Sequence, residues 1–105
     1  MIRVYNKAIR DKIPKIIEES GSTPKVKKLN DNDFLKELTK KIDEEVNEFK
    51  ESKKAEELCD LIEIAYRIAE LYGVSNMELD QIRSEKNLKR GKFDTNLFLI
   101  QVQDS

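Results

Sequence analysis

The 105-residue chain contains no histidine, and this absence removes several kinds of active site at once. A zinc site built on histidine and cysteine, a serine–histidine triad and a histidine general base all need the imidazole ring. Any chemistry must therefore use carboxylates, amines, guanidinium groups or a metal ion held by oxygen ligands.

Cysteine is scarce as well. The single cysteine, Cys59, cannot form an intrachain disulfide, which fits a reducing compartment, and we expect a cytoplasmic protein. We also expect its thiol to pack in the core, because a free cysteine is usually a small buried residue. No run resembles a signal peptide or approaches the roughly 20 apolar residues of a membrane span, so we expect no membrane partner.

The chain also lacks an excess of basic residues. Lys plus Arg number 20 and Asp plus Glu number 21, which gives a formal net charge of −1, so we expect no nucleic-acid partner. The charges are nevertheless sorted along the chain. The first 28 residues are rich in Lys and Arg, and residues 43–63 are rich in carboxylates. This local sorting indicates a binding site rather than a uniformly charged surface.

Apolar residues recur at helical spacing along one predicted domain, 1–105. The pattern predicts an all-α fold, a small bundle of about four helices around an antiparallel helix hairpin. The predicted helices are 9–20, 32–51, 55–72 and 75–90. The first should begin near Asp11, because Pro14 fits only in a first turn. Ser75 and Glu78 have the spacing of a capping box at the start of the fourth.

Three segments outside these helices could form short strands: 2–5, 25–29 and 97–102, the last of which could instead be an extended tail. Pairing of 2–5 with 97–102 would satisfy both segments, because an isolated strand leaves its backbone N–H and C=O groups unpaired. Short N- and C-terminal strands are therefore possible beside the helices.

Four carboxylates occupy matching positions on the second and third predicted helices: Glu45, Glu48, Glu57 and Asp60. Residues three apart share a helix face, so each helix presents two carboxylates to one side. In an antiparallel hairpin that turns near Ser52, Glu48 stands level with Glu57, and Glu45 stands level with Asp60. The spacing therefore predicts one cluster of four carboxylates between the two helices.

Two of these carboxylates, Glu45 and Asp60, interrupt the apolar stripes of their helices. A carboxylate on a core face costs several kcal/mol unless a partner neutralises it. A hard divalent cation with oxygen ligands supplies that partner, and we expect Mg²⁺, with Mn²⁺ as an alternative. The competing interpretation is that the glutamates belong to solvated helix faces, since 39% of the chain is charged.

The spacing Glu45-x-x-Glu48 followed by Glu57-x-x-Asp60 resembles the metal-binding signature of the MazG-like superfamily of all-α nucleotide pyrophosphohydrolases, which includes phosphoribosyl-ATP pyrophosphohydrolase. The opening segment 5–14 resembles the N-terminus of a small MazG-like subgroup. A basic helix end and a Gly-x-Phe turn also match; these are Lys86, Arg90, Gly91 and Phe93. The resemblance covers nearly the whole chain, although the connection between the acidic pairs is shorter than in many relatives.

The resemblance implies hydrolysis of a nucleotide substrate between its α and β phosphates, which yields a monophosphate and pyrophosphate. It implies that the four carboxylates hold the metal and form the catalytic centre, while one of them or Glu44 orients the attacking water. Basic and amide side chains would contact the substrate. The substrate-binding candidates are Lys86, Arg90, Asn87, Lys7, Arg10 and Lys12.

Two other functions stay open. One is hydrolysis of phosphoribosyl-ATP in histidine biosynthesis. The other is a non-catalytic helical interaction or regulatory module, which would neither bind Mg²⁺ nor release pyrophosphate. We also expect a homodimer or higher homo-oligomer, because Ile64, Ile68 and Leu71 extend the apolar surface of the third helix beyond what a small hairpin can cover.

Overall fold

The computed structural model describes residues 1–104, which form four α-helices and, within that range, no strand. The helices are α1 (Ile13–Glu19), α2 (Asp31–Ser52), α3 (Ala55–Leu71) and α4 (Asn76–Arg90). The predicted all-α class is therefore confirmed. The most extensive helix–helix contact joins α2 to α3, and α4 packs against α3 alone.

The hairpin of α2 and α3 turns within a single two-residue connection. Lys53 ends α2 in the left-handed conformation, with φ 56°, and its N–H donates to the carbonyl of Phe49 at 2.8 Å. Lys54 is extended and precedes the first turn of α3. Because so short a connection leaves no room for a crossover, the two helices run antiparallel as neighbours.

The hydrophobic core is small and lies along this hairpin. Ala8, Leu38 and Ile64 are its buried residues, and Phe34, Ile42, Ile68 and Leu71 pack around them. Ile64, Ile68 and Leu71 thus face the core of the same chain, and the expectation that they extend an uncovered surface is wrong. Their i, i+4 and i+7 spacing forms the one face of α3 that turns toward α2.

A second apolar stripe of α3 is exposed instead. Leu58, Ile62 and Tyr72 are 42%, 53% and 70% exposed, and they lie roughly 100° around the helix from the core face. Cys59 is exposed as well, so its predicted burial is wrong. It precedes the site residue Asp60 directly, and a helix turns about 100° per residue, so the thiol is directed away from the α2 contact.

The expected short strands at 2–5, 25–29 and 97–102 are absent from the described range. No backbone hydrogen bond joins 2–5 to 97–102, and side chains such as Phe98 and Ile100 are more than four-fifths exposed. A lone pair of short strands is only marginally stable in water, so local β-propensity is insufficient without a third element to cover the pair.

The resulting chain is elongated. Its Cα radius of gyration is 18.4 Å and its principal extents are 64 × 33 × 22 Å. A compact chain of this length has a radius of gyration of roughly 13 Å. Much of the apolar surface of α4 and of the segment that follows it therefore contacts no other part of residues 1–104.

The start of α4 is fixed by a capping box. The Ser75 hydroxyl accepts from the Glu78 N–H at 3.1 Å, and the Glu78 carboxylate accepts from the Ser75 N–H at 3.4 Å.

We predict that Ser75→Ala lowers the free energy of unfolding by about 1 kcal/mol, because it leaves a helix-terminal N–H without its acceptor. The measurement is the midpoint of urea unfolding. Ser84→Ala, in the exposed middle of α4, is the control. Equal midpoints for Ser75→Ala and the parent protein would contradict the assignment.

Candidate metal centre

The antiparallel hairpin brings the four predicted carboxylates together. Glu45 and Glu48 come from α2, and Glu57 and Asp60 come from α3. Carboxylate oxygens of Glu45, Glu57 and Asp60 lie within 4.8 Å of one another, and those of Glu45, Glu48 and Glu44 form a second group with the same limit. Glu45 belongs to both groups, so it is the centre of the cluster.

Glu45 is buried to an extent that is unusual for a glutamate. The residue is 4% exposed, and its Oε2 atom has no hydrogen-bond partner. Burial and the neighbouring carboxylate of Glu48 raise the pKa of Glu45 from 4.5 to about 7. A buried, unpartnered carboxylate oxygen inside an acidic cluster has the environment of a cation ligand, because a cation would offset its lost hydration.

On α3, the second helix of the hairpin, the carboxylate of Glu57 also lies where its charged form is disfavoured. Partial desolvation and the carboxylate of Glu48 raise the pKa of Glu57 above its ordinary value. All donors in the cluster are carboxylate oxygens, and this chemistry suits Mg²⁺ or Mn²⁺ rather than a softer metal. The residues present therefore fit the predicted cation.

Three basic side chains surround the cluster. Lys41 lies 3.2 Å from Glu44 and 3.6 Å from Glu45, and its side chain is largely buried. Lys7 donates to Glu44 at 2.8 Å, and Arg10 donates to Asp60 at 2.5 Å. Two of these three cations were predicted from the sequence as substrate-binding residues, and in the structure they contact carboxylates of the site.

Lys41 is a site residue that the sequence interpretation missed. It lies four residues before Glu45 and three before Glu44, so it shares their helix face. The signal was therefore available, since a lysine beside a carboxylate on a core stripe is a ready counter-charge. The pKa of Lys7 is raised by its hydrogen bond to Glu44 and by the negative charges of Glu44, Glu48 and Glu45, so the ammonium form of Lys7 is stabilised.

The remaining predicted substrate residues are not gathered at the cluster. Among residues 1–104, neither Lys86 nor Arg90 forms an ion pair, and their helix α4 does not contact α2. Asn87 lines a shallow depression on α4 with Leu88 and Gly91. Lys12 precedes α1 and is exposed.

A hydrogen bond between helices sets the position of α4. The Tyr66 hydroxyl, on α3, donates to Asp80, on α4, at 2.9 Å. The contact between α3 and α4 is less extensive than the contact between α2 and α3. Lys86 and Arg90 thus lie on a helix that packs against one member of the hairpin only.

Comparisons with known proteins carry no activity over to this chain. Over 42 residues it is 43% identical to an uncharacterized protein of Mycolicibacterium smegmatis, and the aligned stretch covers 40% of this chain and 43% of that relative. The chain thus matches less than half the length of that relative. No family model and no solved structure matches the chain.

In residues 1–104, no helix combines the length and apolarity required to cross a bilayer.

The raised pKa of Glu45 predicts a pH dependence of the metal-free protein. Below pH 4.5 the residue is protonated in both folded and unfolded chains, whereas between 4.5 and about 7 only the unfolded chain releases the proton. Stability should therefore fall as pH rises through this window, by up to a few kcal/mol at about 1.4 kcal/mol per pKa unit.

Unfolding in EDTA across that pH range measures the effect. Glu45→Gln should flatten the decline, because a glutamine side chain is neutral at every pH. Glu51→Gln, on an exposed part of α2, should leave it unchanged. Identical slopes for the parent and Glu45→Gln would show that another group causes the dependence.

Proposed function

We propose that the protein is a Mg²⁺-dependent nucleoside triphosphate pyrophosphohydrolase, which cleaves between the α and β phosphates to give a nucleoside monophosphate and pyrophosphate. The observation that carries the proposal is the buried, unpartnered oxygen of Glu45 at the centre of a carboxylate cluster that both hairpin helices build. The resemblance of this four-carboxylate pattern and of segment 5–14 to MazG-like enzymes supports the choice of reaction.

In this proposal Glu45, Glu48, Glu57 and Asp60 hold the metal. The bound ion would neutralise phosphate charge and lower the pKa of a water nucleophile. Of the chain's own groups, Glu44 lies at the edge of the cluster and can orient that water and accept its proton. Lys7 and Arg10 stand beside the carboxylates and can bind phosphate oxygens with charge-assisted hydrogen bonds.

Two alternatives remain as competing hypotheses. A phosphoribosyl-ATP pyrophosphohydrolase would use the same metal and leaving group, so turnover of that substrate beside a panel of NTPs and dNTPs separates the two. A non-catalytic helical interaction module would release no pyrophosphate from any nucleotide. The exposed apolar surface of the chain is consistent with binding another chain. The interaction-module hypothesis, however, gives no reason for a buried glutamate in the hairpin core.

Asp60→Asn should separate an enzyme from a scaffold. The change is nearly isosteric and removes one negative charge from the cluster, so the helices should persist while metal affinity and hydrolysis fall. We expect a loss above the roughly 10–100-fold that outer partners of metal sites contribute. The measurement is pyrophosphate release with a parallel Mg²⁺ titration, and Asp43→Asn, exposed on α2, is the matched control. Full activity in Asp60→Asn would exclude this catalytic cluster.

Arg90→Ala tests the proposed division of labour in the same assays. We expect weaker nucleotide binding with an unchanged Mg²⁺ titration, because Arg90 is proposed to bind phosphate and forms no ion pair with a cluster carboxylate. Loss of Mg²⁺ affinity in this variant would contradict the assignment.

We further propose that the functional unit is a homodimer or a higher homo-oligomer that works in the cytoplasm. The chain exposes 9957 Å² of surface. A compact monomer of 12.3 kDa exposes about 6,100 Å². The excess of about 3,900 Å² per chain is ample for an obligate homodimer interface, which buries roughly 2,000–5,000 Å² in total.

The second apolar stripe of α3, formed by Leu58, Ile62 and Tyr72, is the surface that this assembly would cover. Ala65 and Ala69 lie on the same stripe, so a partner helix could approach closely. The stripe flanks the core face of the same helix, on which Glu57 and Asp60 lie. A second copy there could also bring its own α4, with Lys86 and Arg90, toward the carboxylates.

Ile62→Lys should lower the molar mass in solution, because a buried interface cannot accept an unpaired ammonium group. In the isolated chain Ile62 is half exposed, so the same change would have little effect on a monomer. Asn47→Lys adds the same charge on the exposed side of α2 and is the control. Light scattering at about micromolar concentration gives the masses; a monomeric parent would exclude the assembly.

A further inference from the structure

The segment from Lys7 to Arg10 crosses the hairpin directly beside the carboxylate cluster. Ala8 is 6% exposed and packs in the core with Leu38 and Ile64. On either side of this anchor, Lys7 binds Glu44 of α2 and Arg10 binds Asp60 of α3. One short stretch of chain thus connects both helices of the site through a buried alanine and two ion pairs.

The two ion pairs involve carboxylates from different groups of the cluster. Glu44 belongs to the outer group of carboxylates with Glu45 and Glu48, whereas Asp60 belongs to the group that spans both helices. Arg10 donates to Oδ1 of Asp60 at 2.5 Å, so it draws on the negative charge of a carboxylate that a cation between the helices would also use. A guanidinium and a divalent cation compete for such an oxygen, because each is stabilised by the same negative charge.

Charge balance indicates what happens when both ligands are bound. Five carboxylates at the site face three cations, Lys7, Arg10 and Lys41, and two negative charges remain when all are ionised. One divalent cation neutralises that remainder. A nucleotide then adds further negative charge, and the site needs a cation that is no longer committed to a carboxylate.

Arg10 is built to change partners without moving its backbone. Its carbonyl accepts from the Ile13 N–H at 3.1 Å at the start of α1, and Ala8 holds the preceding residues in the core. Its side chain is 56% exposed, so the guanidinium has room to rotate. The main chain therefore stays fixed while the long side chain exchanges one oxyanion for another.

We propose that Arg10 is an exchangeable counter-charge: it pairs with Asp60 in the metal-free protein, releases that carboxylate when the divalent cation binds, and then binds a phosphate of the nucleotide. This inference rests on the proposed function and adds a coupling between its two ligands. Metal binding makes Arg10 available to the nucleotide, and, because coupling is reciprocal, the bound nucleotide in turn favours the metal.

Direct binding measurements test this exchange without any need for turnover. Mn²⁺ binding, followed by the loss of the free-ion electron paramagnetic resonance signal, is compared for the parent, Arg10→Ala and Arg3→Ala. Arg3 is the matched control, because it is an exposed arginine of the same N-terminal segment and forms no ion pair within residues 1–104. Circular dichroism verifies that the helices persist.

Without nucleotide, Arg10→Ala should bind Mn²⁺ about two- to fivefold more tightly than Arg3→Ala, the range expected when a partly exposed ion pair no longer competes. With Mn²⁺ present, Arg10→Ala should bind a non-hydrolysable α,β-imido nucleoside triphosphate at least about tenfold more weakly than Arg3→Ala, since a charge-assisted contact is lost. The two shifts have opposite signs, and a general change in electrostatic potential would not reproduce both.

Equal Mn²⁺ affinities in the two variants, or unchanged nucleotide affinity in Arg10→Ala, would overturn the exchange alone. A parent protein that binds no Mn²⁺ would overturn the proposed metal centre and the exchange with it. The two failures are therefore distinguishable in the same experiment.

Discussion

The carboxylate of Glu45 in the contact between α2 and α3 is the constraint on which the rest of the site depends. Its residue is almost fully buried, and one of its oxygens has no partner. The pKa of Glu45 is raised, which favours its uncharged form. Lys41, one turn earlier on the same helix, and the cations of the N-terminal segment supply positive charge nearby. The protonation of Glu45 and these ion pairs would all change if a divalent cation took the place of a proton.

The same constraint explains why the hydrophobic core is small. A hairpin that devotes the part nearest its turn to carboxylates has fewer positions for apolar side chains, and its buried hydrophobic residues are Ala8, Leu38 and Ile64. Hydrophobic burial of this extent contributes little against the conformational entropy of the chain. The proposed cation binding and self-association would both add stability at α3, whose core face carries Glu57 and Asp60 and whose second stripe carries Ile62.

Much of the fold could be predicted from local sequence patterns. The bounds of α2, α3 and α4 follow from apolar spacing, from the Ser75 capping box and from the break near Lys53, because each of these acts over a few residues. The convergence of the carboxylates followed in turn, since a two-residue turn fixes the register of an antiparallel hairpin. The predicted roles of those carboxylates remain predictions.

The errors concern features that neighbours in sequence do not determine. The terminal strands needed distant segments to meet, and Cys59 was assigned to the core from its residue type although its helix position directs it outward. The apolar surplus of α3 was real but lay on the stripe of Leu58, Ile62 and Tyr72 rather than on that of Ile64. An amphipathic pattern gives the apolar faces of a helix, and tertiary contact decides which of them is covered.

The basic side chains proposed to bind substrate lie in two separate places. In the chain as described, Lys7 and Arg10 are the substrate candidates that reach the carboxylates, while Lys86 and Arg90 lie on a helix that contacts only α3. If all four bind one nucleotide, the near pair must first give up carboxylate partners, and the far pair must arrive from α4 of the same or another chain. Such a site would be assembled by its ligands, because the metal would release Arg10 from Asp60 and the added negative charge of the nucleotide would attract the basic side chains of α4.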